Sequence, residues 1–349
     1  MVSILITTYN SAKFLACCLE SINQQTYPSI EVIIVDNASS DGTKEILAGY
    51  DHRFQCIYNA KNVGFAAGQN QAGGMAKGDW LLSLNPDVVL SPDFVSEVVL
   101  AGDADPRVGA VCGKLLRWTP QASTEFSGVL DSTGIYFMPN LRHLDRGADE
   151  PDVGQYDRLE YVFGATGAAA LYRRAMVTDV SVEGEFFDEQ FFAYREDADL
   201  AWRAQLYGWQ CLYTPRAIAW HVRRVTPERR EELPREINWH SIKNRFLMRA
   251  KNISWPLYAH CFIATSLRDA QVVGYCLIRD RKLASALAEV WKSRQILLKK
   301  RRFIQSRRRI SDKQLVHWFG NRPASFPFCP CTDRTAIRAK QTIPNSKRP

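Results

Sequence analysis

Three absences narrow the reading of this chain. Its nine cysteines show no paired metal-type spacing: Cys17 and Cys18 are adjacent, and Cys329-Pro-Cys331 stands alone. That argues against a zinc ribbon or a disulfide framework and predicts free thiols of a cytosolic protein. No uninterrupted apolar run of bilayer length occurs. The best stretch, 253–278, contains Pro256, His260, Arg268 and Asp269, whereas a spanning helix needs ~20 predominantly apolar residues. A secretory leader is not expected either, because Met1 runs straight into VSILITTYN with no basic n-region or small-residue cleavage site.

The 349 residues, 46% of them hydrophobic, suffice for one large domain or two modest ones. Charge is distributed unevenly. Residues 1–291 hold 29 Lys/Arg against 35 Asp/Glu, a net −6, while residues 292–349 hold 16 against 2, a net +14. The sequence pI of about 9.0 therefore belongs to the end of the chain.

The first ninety residues alternate two periodicities. VSILITTY (2–9), EVIIVDNAS (31–39), QCIYN (55–59) and DWLLSLNPDVVL (79–90) read as strands, the last interrupted by Asn-Pro-Asp. Between them, 11–25 has helical spacing of Phe14, Leu15, Cys18, Leu19 and Ile22, with Ser11 as cap. A helix start follows Asp41-Gly42, and 64–78 is a glycine-rich helix entry. This order predicts an α/β fold, a mostly parallel sheet flanked by helices. Ligands of such sheets bind beyond the carboxyl ends of the strands. Polar clusters sit at all four ends: 7–10, 36–39, 61–64 and 85–87. Further on, 108–118 reads as strand, 164–174 as a glycine turn entering a strand, 185–208 as a loop and helix ending near Gly208, and 209–222 as two more strands. Residues 236–305 read as helical and basic.

Each cluster has a plain structural explanation beside a chemical one. Asp36 is either a turn acid or an acceptor for a base or ribose. Gly64 and Gly68 permit close backbone approach, and the helix after them favours an anion. Asn85-Pro86-Asp87 is either a turn or a carboxylate for a hard divalent cation whose other ligands are water and phosphate. His221 gains weight as a second metal group beside Asp87. His52, His143, His240, His260 and His317 have no such context.

Taken together and in order, VSILITTYN, VIIVDNASSDGT, NVGFAAGQNQA, LSLNPDVVL, GATGAAALYRR, FFDEQFFAYREDADLAWR and WHV resemble family-2 glycosyltransferases of GT-A (Rossmann-like) fold, within them the bacterial rhamnosyltransferase-like branch. The similarity covers 1–222, and HSIKNRFLMRAKN (240–252) resembles the same branch. The resemblance implies that Thr7 and Tyr9 line a base pocket, that Asp36 accepts from the pyrimidine or ribose, and that Asn62 and Gly64 border the nucleotide. It puts Asp87 in the family's Asp-x-Asp position, with Asn85 replacing the first acid, and makes His221 a metal or diphosphate ligand for Mg2+ or Mn2+. It makes Asp197 the catalytic base, with Glu196 its partner. Helix-dipole logic accounts for acids in a first turn, and Asp199 lies four residues from Arg203, spaced for a surface pair. Asp197 is then the freest acid, with Glu196 and Asp199 the alternatives.

The expected activity is an inverting, metal-assisted transfer from a nucleotide-diphospho-sugar, dTDP-rhamnose favoured, to a lipid-linked glycan acceptor in cell-envelope polysaccharide synthesis. A nucleotidyltransferase and a non-catalytic nucleotide-sugar binder are the alternatives. The expected divisions are a catalytic domain over 1–225, a basic amphipathic helical extension over 226–320 and a disordered tail over 321–349. Lys292 to Arg309 carries nine basic residues and no acid. With Trp291, Ile296, Leu297, Leu298 and Phe303 it predicts contact with an anionic membrane surface, hence a cytoplasmic protein peripheral on the inner face of the plasma membrane. No nucleic-acid partner is expected, since no binding motif accompanies the charge.

Overall fold

The computed structural model describes residues 1–50, 53–118, 127–223, 235–320 and 322–328. Its first part is β1 (Val2–Thr8), α1 (Ala12–Asn23), β2 (Ile30–Asp36), α2 (Thr43–Ala48), β3 (Gln55–Tyr58), α3 (Phe65–Met75) and β4 (Trp80–Leu84). Strands β3, β2, β1 and β4 lie side by side in parallel, as the alternation predicted. Period-two alternation in β1 sorts the two faces: Val2, Ile4 and Ile6 join Leu15 and Leu19 of α1 in one core, and Leu5 faces the other. The buried face of α1 contains the five apolar residues expected. Ser11 stands at its N-cap without capping it. Asp41 instead accepts from the Ala12 N–H, and the Ser11 hydroxyl donates to the Tyr9 carbonyl.

There follow β5 (Val88–Leu90), α4 (Phe94–Asp103), β6 (Val108–Arg117), β7 (Leu130–Ser132), β8 (Ile135–Phe137), β9 (His143–Asp145), β10 (Glu160–Val162), β11 (Ala169–Arg173), α5 (Arg174–Val180), α6 (Glu196–Leu206) and β12 (Gln210–His221). The sheet runs β10-β12-β6-β11-β4-β1-β2-β3. Its two longest ladders, β6 with β12 and β1 with β2, are parallel, and β11 enters antiparallel between β4 and β6. Asn-Pro-Asp does more than interrupt a strand. It ends β4 and turns β5 away to pair antiparallel with the end of β12. The two strands expected over 209–222 are one, with a register shift between Tyr213 and Ile218.

The last part is α7 (Arg235–Asn252), α8 (Trp255–Ile278), α9 (Ser285–Lys292), α10 (Arg294–Ser306), α11 (Asp312–Leu315) and a two-residue strand β13 (Phe326–Pro327) beside β10. These helices share a core with the sheet: Leu247, Met248, Leu257, Leu297, Ile304 and Phe319 cluster with Phe163 and Trp202. Helix α8 is unbroken. Pro256 sits in its first turn, where a missing N–H costs nothing. By length and composition it could cross a bilayer, with 17% of its most apolar window buried.

The basic run differs from expectation in two ways. Leu297 is a core residue, and Lys300 is buried between Glu185 and Asp188. Lys299 pairs with Glu183, Arg307 and Arg309 with Asp179, and Arg308 with Asp312. Much of that charge thus ties α10 to the sheet domain. No disulfide occurs among the described residues, where seven cysteines are free. Cys329, Cys331, His52 and most of the expected tail lie outside the described residues.

Candidate active site

At the ends of β1 and β2 the predicted polar residues form one network. Asp36 is buried and accepts from the Thr8 hydroxyl at 3.0 Å and the Ser39 N–H at 3.1 Å. Next to it, the Asn37 amide donates to the Gly64 carbonyl at 3.0 Å. Asn62 accepts from the Gly64 N–H, shaping the turn into α3. Gly64 has φ +89, and a Cβ there would lie 2.6 Å from the Phe192 carbonyl, so only glycine fits. The N–H of Ala66 goes to that same carbonyl. Thr7 packs on Gly68, where a Cβ would come within 2.5 Å, and receives the Gln69 amide at 3.3 Å. Tyr9 is half exposed.

Asp87 and His221 do meet. His221 Nε2 is 3.6 Å from Asp87 Oδ1, because β5 lays Val88 opposite His221 of β12. On the other side of the ring, Nδ1 lies 2.7 Å from Oδ2 of Asp131, the middle residue of β7. Burial alone would lower the His221 pKa, but the bonds to Asp131 and Asp87 hold it at about 10. Burial of Asp131 raises its own pKa, and His221 with Arg223 more than offsets that. Arg223 bridges Asp131 at 3.1 Å to Asp145 at 2.7 Å. The donor set suits a divalent cation held by few protein ligands, the cation taking the place of the proton that Asp87 and Asp131 otherwise hold on His221. A carboxylate faces an imidazole whose far nitrogen is fixed by a second carboxylate, the arrangement that orients metal-binding histidines. No group of three or more His, Cys, Asp or Glu placed to hold a metal occurs among the described residues, so phosphate and water would complete the shell.

The acids of YREDADLAWR separate by environment. Asp197 Oδ2 accepts from the Gly167 N–H at 2.9 Å and Oδ1 from the Ala198 N–H at 2.7 Å. Its pKa is raised by burial, with Asp145 adding to the shift and the Gly167 bond opposing it. Glu196 is buried, and its Oε2 has no hydrogen-bond partner among the described residues. Burial, then Asp197 and Asp199, push its carboxyl well above the usual range. It is therefore not the exposed first-turn acid that dipole logic describes. Asp199 is no surface residue either. It is fully buried against Arg203 at 3.0 Å, with Lys251 and Asn252 on its other side. Asp199 is thereby confined to scaffolding.

Chain geometry before α6 is unusual. Phe192, Tyr194 and Arg195 have φ of 64, 72 and 73, a region that non-glycine residues seldom adopt. Helix α7 clamps this turn. Asn244 Nδ2 reaches the carbonyls of Phe191, Ala193 and Tyr194 at 2.9, 2.8 and 2.8 Å. Lys243 donates to the Gln190 carbonyl and Arg195 to the Ser241 carbonyl. His143 and His240, without context in the sequence, both belong here. His143 Nδ1 is 3.0 Å from Arg195, and His240 stacks on Phe192 at 4.8 Å. Burial, assisted by Arg195, keeps His143 well below the usual imidazole range.

The two halves meet at Gly167-Ala168. Gly167 N–H binds Asp197, and the Ala168 carbonyl accepts the Asn85 N–H at 2.9 Å. Two adjacent residues therefore link the carboxylate at the start of α6 to the Asn-Pro-Asp turn. Asp131, Arg223, Asp145, His143 and Arg195 carried no signal in the sequence, since each acts through a partner distant in the chain. Asn244 had only the resemblance of 240–252.

Comparison with known proteins agrees with this fold. The glycosyl transferase family 2 model matches residues 3–127. The strand ends carrying Thr7, Asp36, Asn62 and Asp87 all lie inside it, and His221, Asp197 and the clamp from α7 lie beyond. An N-acetylglucosaminyl-diphospho-decaprenol L-rhamnosyltransferase of Mycobacterium tuberculosis is 28% identical over 62% of this chain and 75% of its own length. EpsH of Bacillus subtilis is 27% identical over 56% of this chain. Among solved structures, GalNAc-T7 aligns with 83% of this chain at a TM-score of 0.59 and 13% identity, which shows the shared fold. The chain spans 55% of the length of EpsH and 55% of the GalNAc-T7 chain.

Proposed function

We propose that this family 2 domain and its helical extension form an inverting glycosyltransferase. It moves a sugar, with dTDP-rhamnose the favoured donor, to a hydroxyl of a lipid-linked glycan in cell-envelope polysaccharide synthesis. The observation that carries this reading is the Gly167-Ala168 link. It sets a carboxylate of raised pKa beside a paired carboxylate and imidazole, as direct displacement from a nucleotide-diphospho-sugar requires.

Asp197 takes the proton of the attacking hydroxyl. A base works best with a pKa near the operating pH, and burial moves Asp197 in that direction. Burial and the neighbouring Asp197 favour the protonated form of Glu196, which limits the negative charge beside Asp197. Asp36, Thr7 and Tyr9 receive the base and ribose, and Asn62 and Gly64 border the nucleotide. Asp87 and His221, with Asp131 orienting the ring, hold the diphosphate end. Asn85 positions that turn through its backbone. A divalent cation, Mg2+ or Mn2+, held by Asp87 and His221 would offset the charge that develops on the leaving nucleotide diphosphate. The GalNAc-T7 structure holds UDP, GalNAc and Mn2+. The mycobacterial relative's name supports both rhamnose and a lipid-linked acceptor. Such an acceptor places the protein peripherally on the cytosolic face of an anionic membrane.

A donor screen with purified protein, reading nucleotide diphosphate release with and without Mg2+ or Mn2+, tests the reading. Release from dTDP-rhamnose that needs the metal is expected. Metal-independent release, or none from any nucleotide-diphospho-sugar, would overturn it.

A further inference from the structure

Helix α8 presents an outer face that nothing among the described residues covers. Leu257, Cys261, Thr265 and Cys276 are buried and lie on one side at helical spacing. The opposite side carries Trp255, Phe262, Ile263, Leu267, Leu277 and Ile278, all exposed, with Ile278 at 85% and Ile263 at 75%. Ala259, Ser266, Ala270 and Gly274 fill the gaps, and the exposed His260 is the one titratable side chain on it among the described residues. The two charges within α8 are used elsewhere. Asp269 pairs with Arg245 and Arg249 of α7, and Arg268 bonds Gln271. A continuous apolar face about 36 Å long is more than a soluble surface ordinarily exposes.

Both ends of that face are basic. Arg279, Arg281 and Lys282 follow Ile278, all exposed. At the other end, a cleft of about 500 Å3 opens between the start of α8 and α10. Trp255, Leu298, Arg301, Arg302 and Arg308 line it. Arg308 is paired with Asp312 and Arg301 donates to the Ala250 carbonyl. Arg302 is exposed and has no hydrogen bond or ion pair among the described residues.

We infer that α8 lies flat on an anionic phospholipid surface, apolar face down, with lipid phosphates at the Arg301–Arg302 cleft and at Arg279–Lys282. Charge complementarity selects this occupant. A second copy pairing the same face about a twofold axis would bring basic ends together, whereas anionic headgroups neutralise both. The inner side of α8 also fixes it to the protein, through the Asp269 pairs and the Thr265 hydroxyl on the Pro139 carbonyl. An apolar face with basic flanks, lying on a folded domain, is the pattern of an interfacial helix. The Pro139–Arg142 loop under α8 leads to His143 and thence to Arg195, beside the base. Membrane docking here serves the lipid-linked acceptor proposed above, while vesicle binding is measurable without any transfer reaction.

The test is flotation of the full chain with vesicles of phosphatidylglycerol and phosphatidylcholine, against phosphatidylcholine alone. Wild type is expected to bind the anionic vesicles at least 10-fold more tightly. Ile263→Glu with Leu267→Glu, and separately Arg302→Glu, should each weaken that binding 10-fold or more and leave nucleotide diphosphate release from soluble donor unchanged. No binding by wild type, or full binding by the Ile263→Glu/Leu267→Glu protein, would overturn the proposal. So would resistance to alkaline carbonate extraction, which marks a spanning helix, or a dimer in light scattering that the same pair of substitutions dissolves.

Discussion

The turn before α6 offers the sharpest test of how the fold builds its base. Asn244→Asp keeps the shape of the side chain and removes both amide hydrogens. Those hydrogens serve the carbonyls of Phe191, Ala193 and Tyr194, all within 2.9 Å of Nδ2. Net loss of about 1 kcal/mol per buried hydrogen bond removes roughly 2 kcal/mol of support. The turn it supports contains three non-glycine residues of positive φ, each costing on the order of 1–3 kcal/mol. The support removed is comparable to the strain of one such residue, so the turn is expected to relax. Arg195 precedes Glu196 directly and Asp197 by two positions, and relaxation therefore shifts the carboxylate. A displacement of about 1 Å costs on the order of 100-fold in rate. Steady-state nucleotide diphosphate release should show kcat 10- to 100-fold lower. KM for donor should move less than about 3-fold, a split expected when only the transition-state geometry is lost. Asn244 touches no substrate in this reading, so a folded Asn244→Asp protein with near-normal kcat refutes the positioning role. Loss of donor binding in step with kcat would refute it equally.

Other expectations follow from the same geometry. Asp197→Asn should retain nucleotide binding by calorimetry and lose transfer; turnover within a few-fold of wild type would sink the base assignment. Asp131→Asn leaves Asp87 and His221 in place but removes the carboxylate orienting the ring, so the Mn2+ or Mg2+ concentration for half-maximal activity should rise about 10- to 100-fold. An unchanged metal titration would show that His221 does not act with a cation. Glu196→Gln should stabilise the protein in a pH-dependent way. Above the unfolded carboxyl value of about 4.3 and below the raised folded value, the native state holds a proton that the unfolded chain has released. Stability then falls as pH rises through that window. The Tm advantage of Glu196→Gln should be absent below about pH 4 and grow toward pH 7; a constant difference would show that Glu196 is not held protonated.

The local half of this protein was legible from its residues. Strand runs such as VSILITTY and the helical spacing of Phe14, Leu15, Cys18, Leu19 and Ile22 are short-range patterns, and the core they imply is the core observed. Parallel order brought Thr7, Asp36, Asn62 and Asp87 to one edge, because side chains at strand ends follow from connectivity alone. The pairing of Asp87 with His221 was anticipated from residue chemistry and found at 3.6 Å. What could not be read were the second partners. Asp131 behind His221, His143 beside Arg195 and Asn244 under the 191–194 carbonyls are separated in sequence from what they touch by 90, 52 and 50 to 53 positions. No periodicity encodes such contacts.

The same division separates the three acids of YREDADLAWR. Sequence alone established that a helix starts there and that three carboxylates crowd its first turn. Only tertiary packing decided their states. Helix α7 supplies Lys251 and Asn252 to Asp199, Gly167 gives its N–H to Asp197, and Glu196 is enclosed with no partner for Oε2 among the described residues. Likewise the nine basic residues of 292–309 announced a charged surface, but the fold spent Lys300 and Arg307 on buried or bridging acids and left the apolar face of α8 uncovered. Charge state and exposure depend on which neighbour displaces water, and the neighbour is chosen by the fold.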